Sequence, residues 1–316
     1  MSTPDVVLAS SQWINDTFPF FSEIGKTLAD WFSWIKIGAW FQALVDWMTA
    51  NLDPFFSFVS DVIGWCVDSL TAVFLWLPAL VFALLLGLLG WAVRGIRFGI
   101  FTLLALALIV QMGQWKDAMS TLSLVLVASV IAVIVAVPVG VAAARSSRVS
   151  SVVKPVLDFM QTLPAFVYLI PAIFFFSVGS VPGVVATVVF SLPPGVRLTE
   201  LGIRQVDKEM VEAGEAFGAP PAKILTRIQF PLALPTIMAG INQVIMLSLS
   251  MVVIAGMVGA GGLGGVVYQA ISNLDVASGF EGGLAVVILA VYLDRLTASL
   301  GNRSPVARAR KSAAKA

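Results

Sequence analysis

Residues 212–231 read EAGEAFGAPPAKILTRIQFP, a polar and charged interruption between two strongly apolar runs. It is where an otherwise lipid-suited chain can touch something soluble. Asp207 is placed to cap a helix through Glu209, Met210, Val211, Glu212, Ala213, Glu215 and Ala216, with acidic side chains near its positive end. Gly218 and Pro220-Pro221 then break it. A second short helix is predicted through Lys223, Ile224, Leu225 and Ile228 before Pro231 and Pro235 lead into the next apolar run. Small Ala213, Gly214 and Gly218 permit close backbone approach, Phe217 offers one apolar anchor, and Glu212, Glu215, Lys223 and Arg227 form a charged rim. That pattern suits docking of a rigid partner. It also suits an amphipathic helix lying at a membrane surface.

Working outward, composition sets the class. The 316-residue chain is 59% hydrophobic and 12% charged, with a mean hydropathy of +0.95, too apolar to surface a soluble globule of this size. The predicted class is an all-α polytopic membrane protein, surrounded by lipid and with no nucleic-acid partner. Histidine is absent, which removes histidine acid/base chemistry and histidine metal sites. The single Cys66 can form neither an internal disulfide nor a thiolate cluster. No catalytic residue, metal site or cofactor bound by this chain is expected, and a membrane-embedded enzyme would need an unusual mechanism. Near the amino terminus Asp5 and Asp16 occur without a basic stretch and early apolar core, so no cleavable signal peptide is expected.

A helix crosses a hydrocarbon core of about 30 Å with about 17 to 25 apolar residues. Such runs lie near 71–92, 97–113, 119–143, 156–177, 181–198, 233–257 and 282–300, predicting about seven spans. An outside amino terminus puts Arg94, Arg97, Arg145, Arg148, Lys154, Arg197, Arg204, Lys208, Lys223, Arg227 and the basic stretch 303–315 in the cytoplasm. Lys26, Lys36 and Lys116 remain outside. The positive-inside bias therefore selects amino terminus out, carboxyl terminus in. The predicted division is an extracytoplasmic amphipathic segment 1–70, a transmembrane domain 71–300 with a cytoplasmic loop 198–232, and a basic tail 301–316. In the first segment Trp13, Trp31, Trp34, Trp40, Trp47 and Trp65 alternate with acidic residues, and residues 28–48 predict an interfacial helix on the outer face.

Glu212, Ala213 and Gly214, then Gly218, then Ile228, Phe230 and Pro231 resemble the cytoplasmic signature loop of bacterial ABC-importer permeases. Among these the chain is most similar to the glycine betaine/proline betaine, or osmoprotectant, permeases. Their loop reads Glu-Ala-Ala, Gly, Ile-x-Leu-Pro; here Gly214 replaces the third residue and Phe230 the Leu, with the spacing intact. The resemblance extends through LALPTIMAGINQVIMLSLSMVVIAGMVGAGGLG, residues 232–264, and covers roughly residues 71–303. It implies a type I ABC-importer permease fold in the bacterial inner membrane. It implies ATPase-coupling roles for Glu212, Ala213, Gly214, Glu215, Phe217, Gly218, Ile228 and Pro231. Two copies of a cytoplasmic ABC ATPase, holding the ATP and Mg, an extracytoplasmic substrate-binding protein and a second permease copy are the implied partners, with a heterodimer left open. No G-x-x-x-x-G-K-[ST] phosphate loop occurs in this chain. Choline, carnitine or another small solute, or a secondary transporter, remain alternative readings.

Gly259, Gly261, Gly262 and Gly264 fall in a literal G-x-G-x-x-G. A dinucleotide fold would need a preceding strand, whereas this motif ends an apolar run. A tight outer turn with close helix contacts, or an outer gate, fits better. Within the apolar runs Gln161, Pro164, Tyr168, Asn242, Gln243 and Ser248 are candidates for a translocation path near broken helices, or for interhelical hydrogen bonds. Asp158, Glu200, Glu281 and Asp294 fall near span ends, so a proton- or sodium-coupled relay lacks mid-span carboxylates.

Overall fold

Helices fill the computed structural model, which describes residues 37–302. The expectations for residues 1–36 and for the basic tail from 303 lie outside the described residues. The chain divides into two units, Met1–Asp53 and Pro54–Ala316. Of the first, residues 37–53 are helical, with Trp40, Phe41, Leu44 and Trp47 exposed.

The elements are α1 (Ile37–Trp76), α2 (Ala79–Arg94), α3 (Ile96–Gln111), α4 (Trp115–Arg145), α5 (Ser147–Thr162), α6 (Leu169–Phe176), α7 (Ser180–Arg204), α8 (Lys208–Ala216), α9 (Pro221–Ile224), α10 (Phe230–Ala255), α11 (Gly262–Asn273) and α12 (Val276–Asn302). Among the described residues five helices are long and apolar enough to span a membrane, or six if the bent pair Ser147–Thr162 and Ala165–Phe176 counts as one. The expected run 71–92 is not one span. Helix α1 continues through residue 70 to Trp76, and Pro78, with no N–H to donate, then starts α2. Helices α2 and α3 each have 16 residues, about 24 Å, short of a hydrocarbon core of about 30 Å. They form a hairpin joined at Gly95. The expected span 156–177 is likewise broken, because Leu163 and Pro164 turn the chain by 108° between α5 and the helical stretch that follows.

The centre of the second unit is α7, which packs antiparallel to α10 and parallel to α4. The register follows from the close contacts: Gly183 lies against Ala255, Gly195 against Val244 and Gly202 against Thr236, while Gly140 of α4 lies against Thr199. Small residues allow this approach, which is how helices gain packing energy where lipid supplies no hydrophobic drive. Leu124, Val184, Leu249, Met251, Leu263 and Leu289 fill the core around these faces.

At one end of α7 the chain makes the predicted glycine turn. The backbone of α11 runs so near α10 that a Cβ on Gly256 would sit 2.1 Å from the carbonyl carbon of Gly264, and one on Gly264 would sit 2.7 Å from the Val252 oxygen. The turn is pinned by Thr121 of α4, whose Oγ1 accepts from Leu263 N at 2.8 Å and donates to the Asp117 carbonyl at 2.8 Å. The other end of α7 leads into the 207–231 loop.

Adjacent glycines therefore separate by substitution. Gly264→Ala forces a methyl onto backbone atoms and should cost at least about 1–3 kcal/mol, seen as a lowered thermal midpoint of the purified protein. Gly265→Ala, with open space at its Cβ, should leave the midpoint unchanged; equal behaviour of the two would contradict this packing.

Candidate functional site

The loop is a helix, a stop and a second helix. Asp207 Oδ1 accepts from Glu209 N at 3.1 Å, satisfying one free donor at the start of α8. At the other end Ala219 N donates to Gly214 O at 3.1 Å and Gly218 N to Glu215 O at 2.8 Å, the paired bonds of a Schellman stop. Gly218 has φ +70°, a conformation that costs an L side chain roughly 1–2 kcal/mol. Pro220 and Pro221, expected from the sequence to break the first helix, also open α9, as its N-cap and its first residue. Pro231 does not separate the second helix from the next span. Residues Leu225–Gln229 form one π turn and the helix runs on through Pro231, so that 221–258 is one 38-residue helix. Pro231 has no N–H to donate inside this helix, and the π turn just before it, where Phe230 N donates to Leu225 O, is where the hydrogen-bond ladder shifts register.

Inside the loop, Gly214 is buried under the second helix, where a Cβ would lie 2.7 Å from Ile228 Cδ1 and 3.5 Å from Ile224 Cγ1. The near atom is a flexible side-chain tip, so an Ala here is accommodated and a larger residue is not. Ile228 thus has an internal packing role. Outward, Phe217 is 92% exposed at the tip, and Glu212, Ala213, Glu215, Gly218 and Pro231 are exposed as well. Two clefts flank the root of the loop. One, of about 310 Å³, is lined by Ala144, Arg204, Lys208, Glu212, Glu215 and Gln229; the other, of about 500 Å³, is lined by Gly202, Gln205, Asp207, Met210, Leu232 and Thr236. The loop is therefore a rigid knob on an open base.

The candidate path residues divide into separate places. Gln161, Pro164 and Tyr168 meet at the break between α5 and α6. There the Tyr168 hydroxyl donates to the Met160 carbonyl, satisfying an acceptor that the ended helix leaves free, and its ring meets Phe190 edge-on at 6.0 Å. Gln161 and Pro164 are exposed. Asn242 instead joins α10 to α12, its Nδ2 donating to Asp294 Oδ1 at 3.1 Å and its Oδ1 accepting from Thr297. Gln243 is exposed, while Ser248 is fully buried with no hydrogen-bond partner for its Oγ. Gly259 and Gly261 are exposed at the outer edge of the glycine turn, and Gly262 and Gly264 are buried in it. Past that turn Asp275 caps α12, accepting from Ser278 Oγ at 2.6 Å and Ser278 N at 3.2 Å. The Ser278 hydroxyl first, and its N–H second, hold the Asp275 carboxyl below its ordinary range.

One cluster had no place in the sequence reading. Glu200 is 4% exposed, yet its Oε1 meets Ser150 Oγ at 2.8 Å, Arg204 Nε at 2.8 Å and Lys154 Nζ at 3.5 Å. Nearby, Arg197 pairs with Asp158, and Arg204 Nη2 donates to the Ala143 carbonyl of α4 at 2.8 Å. The signal was available: Ser150, Lys154 and Asp158 are four apart on α5, and Arg197, Glu200 and Arg204 recur at three and four on α7.

Long apolar helices, a glycine-tight bundle and a protruding capped loop together define a polytopic transport permease subunit. Residues 136–304 match the family described as binding-protein-dependent transport system inner membrane component. The glycine betaine/carnitine transport permease protein of Listeria monocytogenes is 48% identical over 274 residues, covering 85% of this chain and 97% of that one. The glycine betaine/proline betaine transport system permease protein of Escherichia coli is 42% identical over 301 residues, covering 93% and 83%. The MetNI methionine ABC transporter in an inward-facing conformation shares the fold with TM-score 0.54 and 23% identity, over 62% of this chain and 95% of that one. This chain belongs to the binding-protein-dependent transport system inner membrane component family, as a multi-pass protein of the bacterial inner membrane.

The two neighbours on α10 should respond differently to truncation. Asn242→Ala leaves Asp294 and Thr297 without that partner and should destabilise by about 1–3 kcal/mol, whereas Gln243→Ala should leave the thermal midpoint unchanged. A stable Asn242→Ala protein would argue against the packing role.

Proposed function

We propose that this chain is the membrane subunit of an ATP-driven importer of glycine betaine, proline betaine or related quaternary ammonium osmolytes. The observation that carries the reading is the capped loop 207–231 with Phe217 projecting from it, in a chain 42–48% identical to betaine permeases. ATP and Mg are held by a separate ATPase, because no phosphate-loop sequence is present here. The loop enters a cleft of that ATPase. Phe217 supplies the apolar anchor, Glu212 and Glu215 the charged rim, and the Gly218 stop holds Phe217 at the tip. Closure of two ATPase subunits then displaces the loop over its flanking clefts and moves α7 and α10 with it. The solute passes near the break at Gln161 and Pro164, while the ammonium is recognised by aromatic side chains of the extracytoplasmic binding protein. Carnitine, which the name of the Listeria relative includes, is a candidate for the same path.

Two permease chains are needed to present two loops. Val152, Val156 and Phe159 on α5 and Phe166, Ile170 and Phe174 beyond the break are exposed apolar side chains available to a second copy. The orientation is amino terminus out, loop and carboxyl terminus in. The domain reading is an amphipathic segment 1–70 and a transmembrane domain 71–300 with a basic tail, with helix α1 running across the boundary between the first two.

In proteoliposomes holding the permease, its ATPase and the binding protein, Glu212→Arg, Gly218→Trp and Phe217→Ala should insert normally. Each should weaken ATPase co-purification, by about 2 kcal/mol or more for Phe217→Ala, and abolish betaine uptake. Mass measurement of the unsubstituted complex should give two permease chains. Normal uptake by all three variants would remove the coupling role from this loop.

Topology has its own test. In a Cys66→Ser background, an impermeant thiol reagent applied to intact cells should label Ser272→Cys, beyond the glycine turn, and spare Thr226→Cys in the loop. The reverse pattern would invert the orientation.

A further inference from the structure

The helix α5 has little of the small-residue packing that joins α4, α7 and α10; it meets α7 through a small apolar cluster, Leu157 against Val196 with Val153, Met160 and Leu192 around it, and through a row of charges. Its Ser150 and Lys154 reach Glu200, and one turn further its Asp158 reaches Arg197, so an ascending row on α5 meets a descending row on α7. The two helices are antiparallel and in register. Glu200 is the buried member: its side chain is 5% exposed where those of Lys154 and Arg204 are 58% and 40%. A carboxylate taken that far from water is held in place only by its partners, and removing either side leaves a buried group unsatisfied. Arg204, four residues on from Glu200, also donates to Ala143 O, which brings the end of α4 into the same knot. Beyond Arg204 only Gln205, Val206 and the cap Asp207 precede loop helix α8. At the other end of α5 lies the 108° break. The ladder therefore sits between the element that protrudes and the element that is broken.

We propose that Glu200 is a positioning residue for transport, making α5 move as one body with α7, so that displacement of the loop is delivered to the break at Leu163 and Pro164. The proposal rests on the reading of this chain as an ATP-driven permease. It assigns the Asp158–Arg197 pair as the second rung, which fixes register while Glu200 carries the load. In this arrangement α7 moves with α10 through packed small residues, and α5 moves with α7 through the ladder.

The test uses the complete complex in proteoliposomes, with ATP hydrolysis and solute uptake measured together. Glu200→Gln keeps the shape and removes the charge. It should retain ATP hydrolysis per folded complex while solute moved per ATP falls by at least about tenfold. A merely structural role would lower hydrolysis and uptake together with the amount of folded protein, and that result would overturn the proposal. Should Glu200→Gln fail to fold, the more exposed rung decides. Arg197→Asp should uncouple, and Asp158→Arg with Arg197→Asp should restore the ratio; no rescue overturns the proposal. Rigidity is read separately. In a Cys66→Ser background, Asp158→Cys with Arg197→Cys joined by a short bis-maleimide should transport as well as the unsubstituted complex, because the two helices do not slide. Loss of transport on cross-linking overturns the proposal. Absence of ATP-driven uptake in the unsubstituted complex would overturn the permease reading and the inference with it. Normal coupling in Glu200→Gln overturns the inference alone.

Discussion

Everything in the second unit depends on how closely α7 can lie against its two neighbours. Lipid is as apolar as leucine, so helices in a membrane gain little by merely hiding apolar side chains from it. They gain by packing density, and density requires that backbones approach. Gly140, Gly195, Gly202 and Gly240 leave no room for a side chain at the α4, α7 and α10 crossings; at Gly195 an added Cβ would fall 2.8 Å from that of Ala136. Because these contacts run from Gly183 to Gly202, they fix the register of α10 on α7 along almost its whole length. The glycine turn and the protruding loop are then held at opposite ends of one stiff body.

Broken helices are the counterpart of that stiffness. Irregular backbone at membrane depth persists only where its polar groups find partners within the protein, and the chain supplies them locally. The Tyr168 hydroxyl takes up the Met160 carbonyl across the α5–α6 break. Thr121 Oγ1 takes up the Leu263 N–H at the start of α11. Asn242, Asp294 and Thr297 satisfy one another between α10 and α12. Tyr168, Thr121 and Asn242 are held by such bonds, whereas Ser248 is buried without one.

Much of this was legible in the residues because local chemistry decides it. Asp207 followed by an acidic first turn and Gly218 followed by two prolines specify where α8 starts and stops, whatever surrounds them. The glycine-rich turn was legible for the same reason. Hydropathy was a poorer guide to ends, since residues 71–92 are apolar on both sides of Pro78 and a window average does not register one missing N–H. The 108° bend was hidden likewise, because Leu163 and Pro164 sit inside a run that stays apolar throughout. The Glu200 ladder escaped for a different reason. Its charges lie near span ends, where exposure to headgroups and water is the ordinary expectation, and only the tertiary register of α5 on α7 reveals that Glu200 is enclosed.

The loop's two attachments are mechanically unequal. On the α10 side the second loop helix continues without interruption into the span, through a π turn, so 221–258 is one rod. On the α7 side a short non-helical joint, Gln205 to Asp207, intervenes. In the proposed mechanism a push on the loop enters α10 directly and reaches α7 through the packed glycine faces. Helix α5 meets α4 and α7 in a separate small cluster, Leu157 against Ala136 and Val196 with Val153, Met160 and Leu192 packed around it. The charged row at the loop end adds to that cluster, and in the proposed mechanism it is this row that carries the motion of α7 to the broken span.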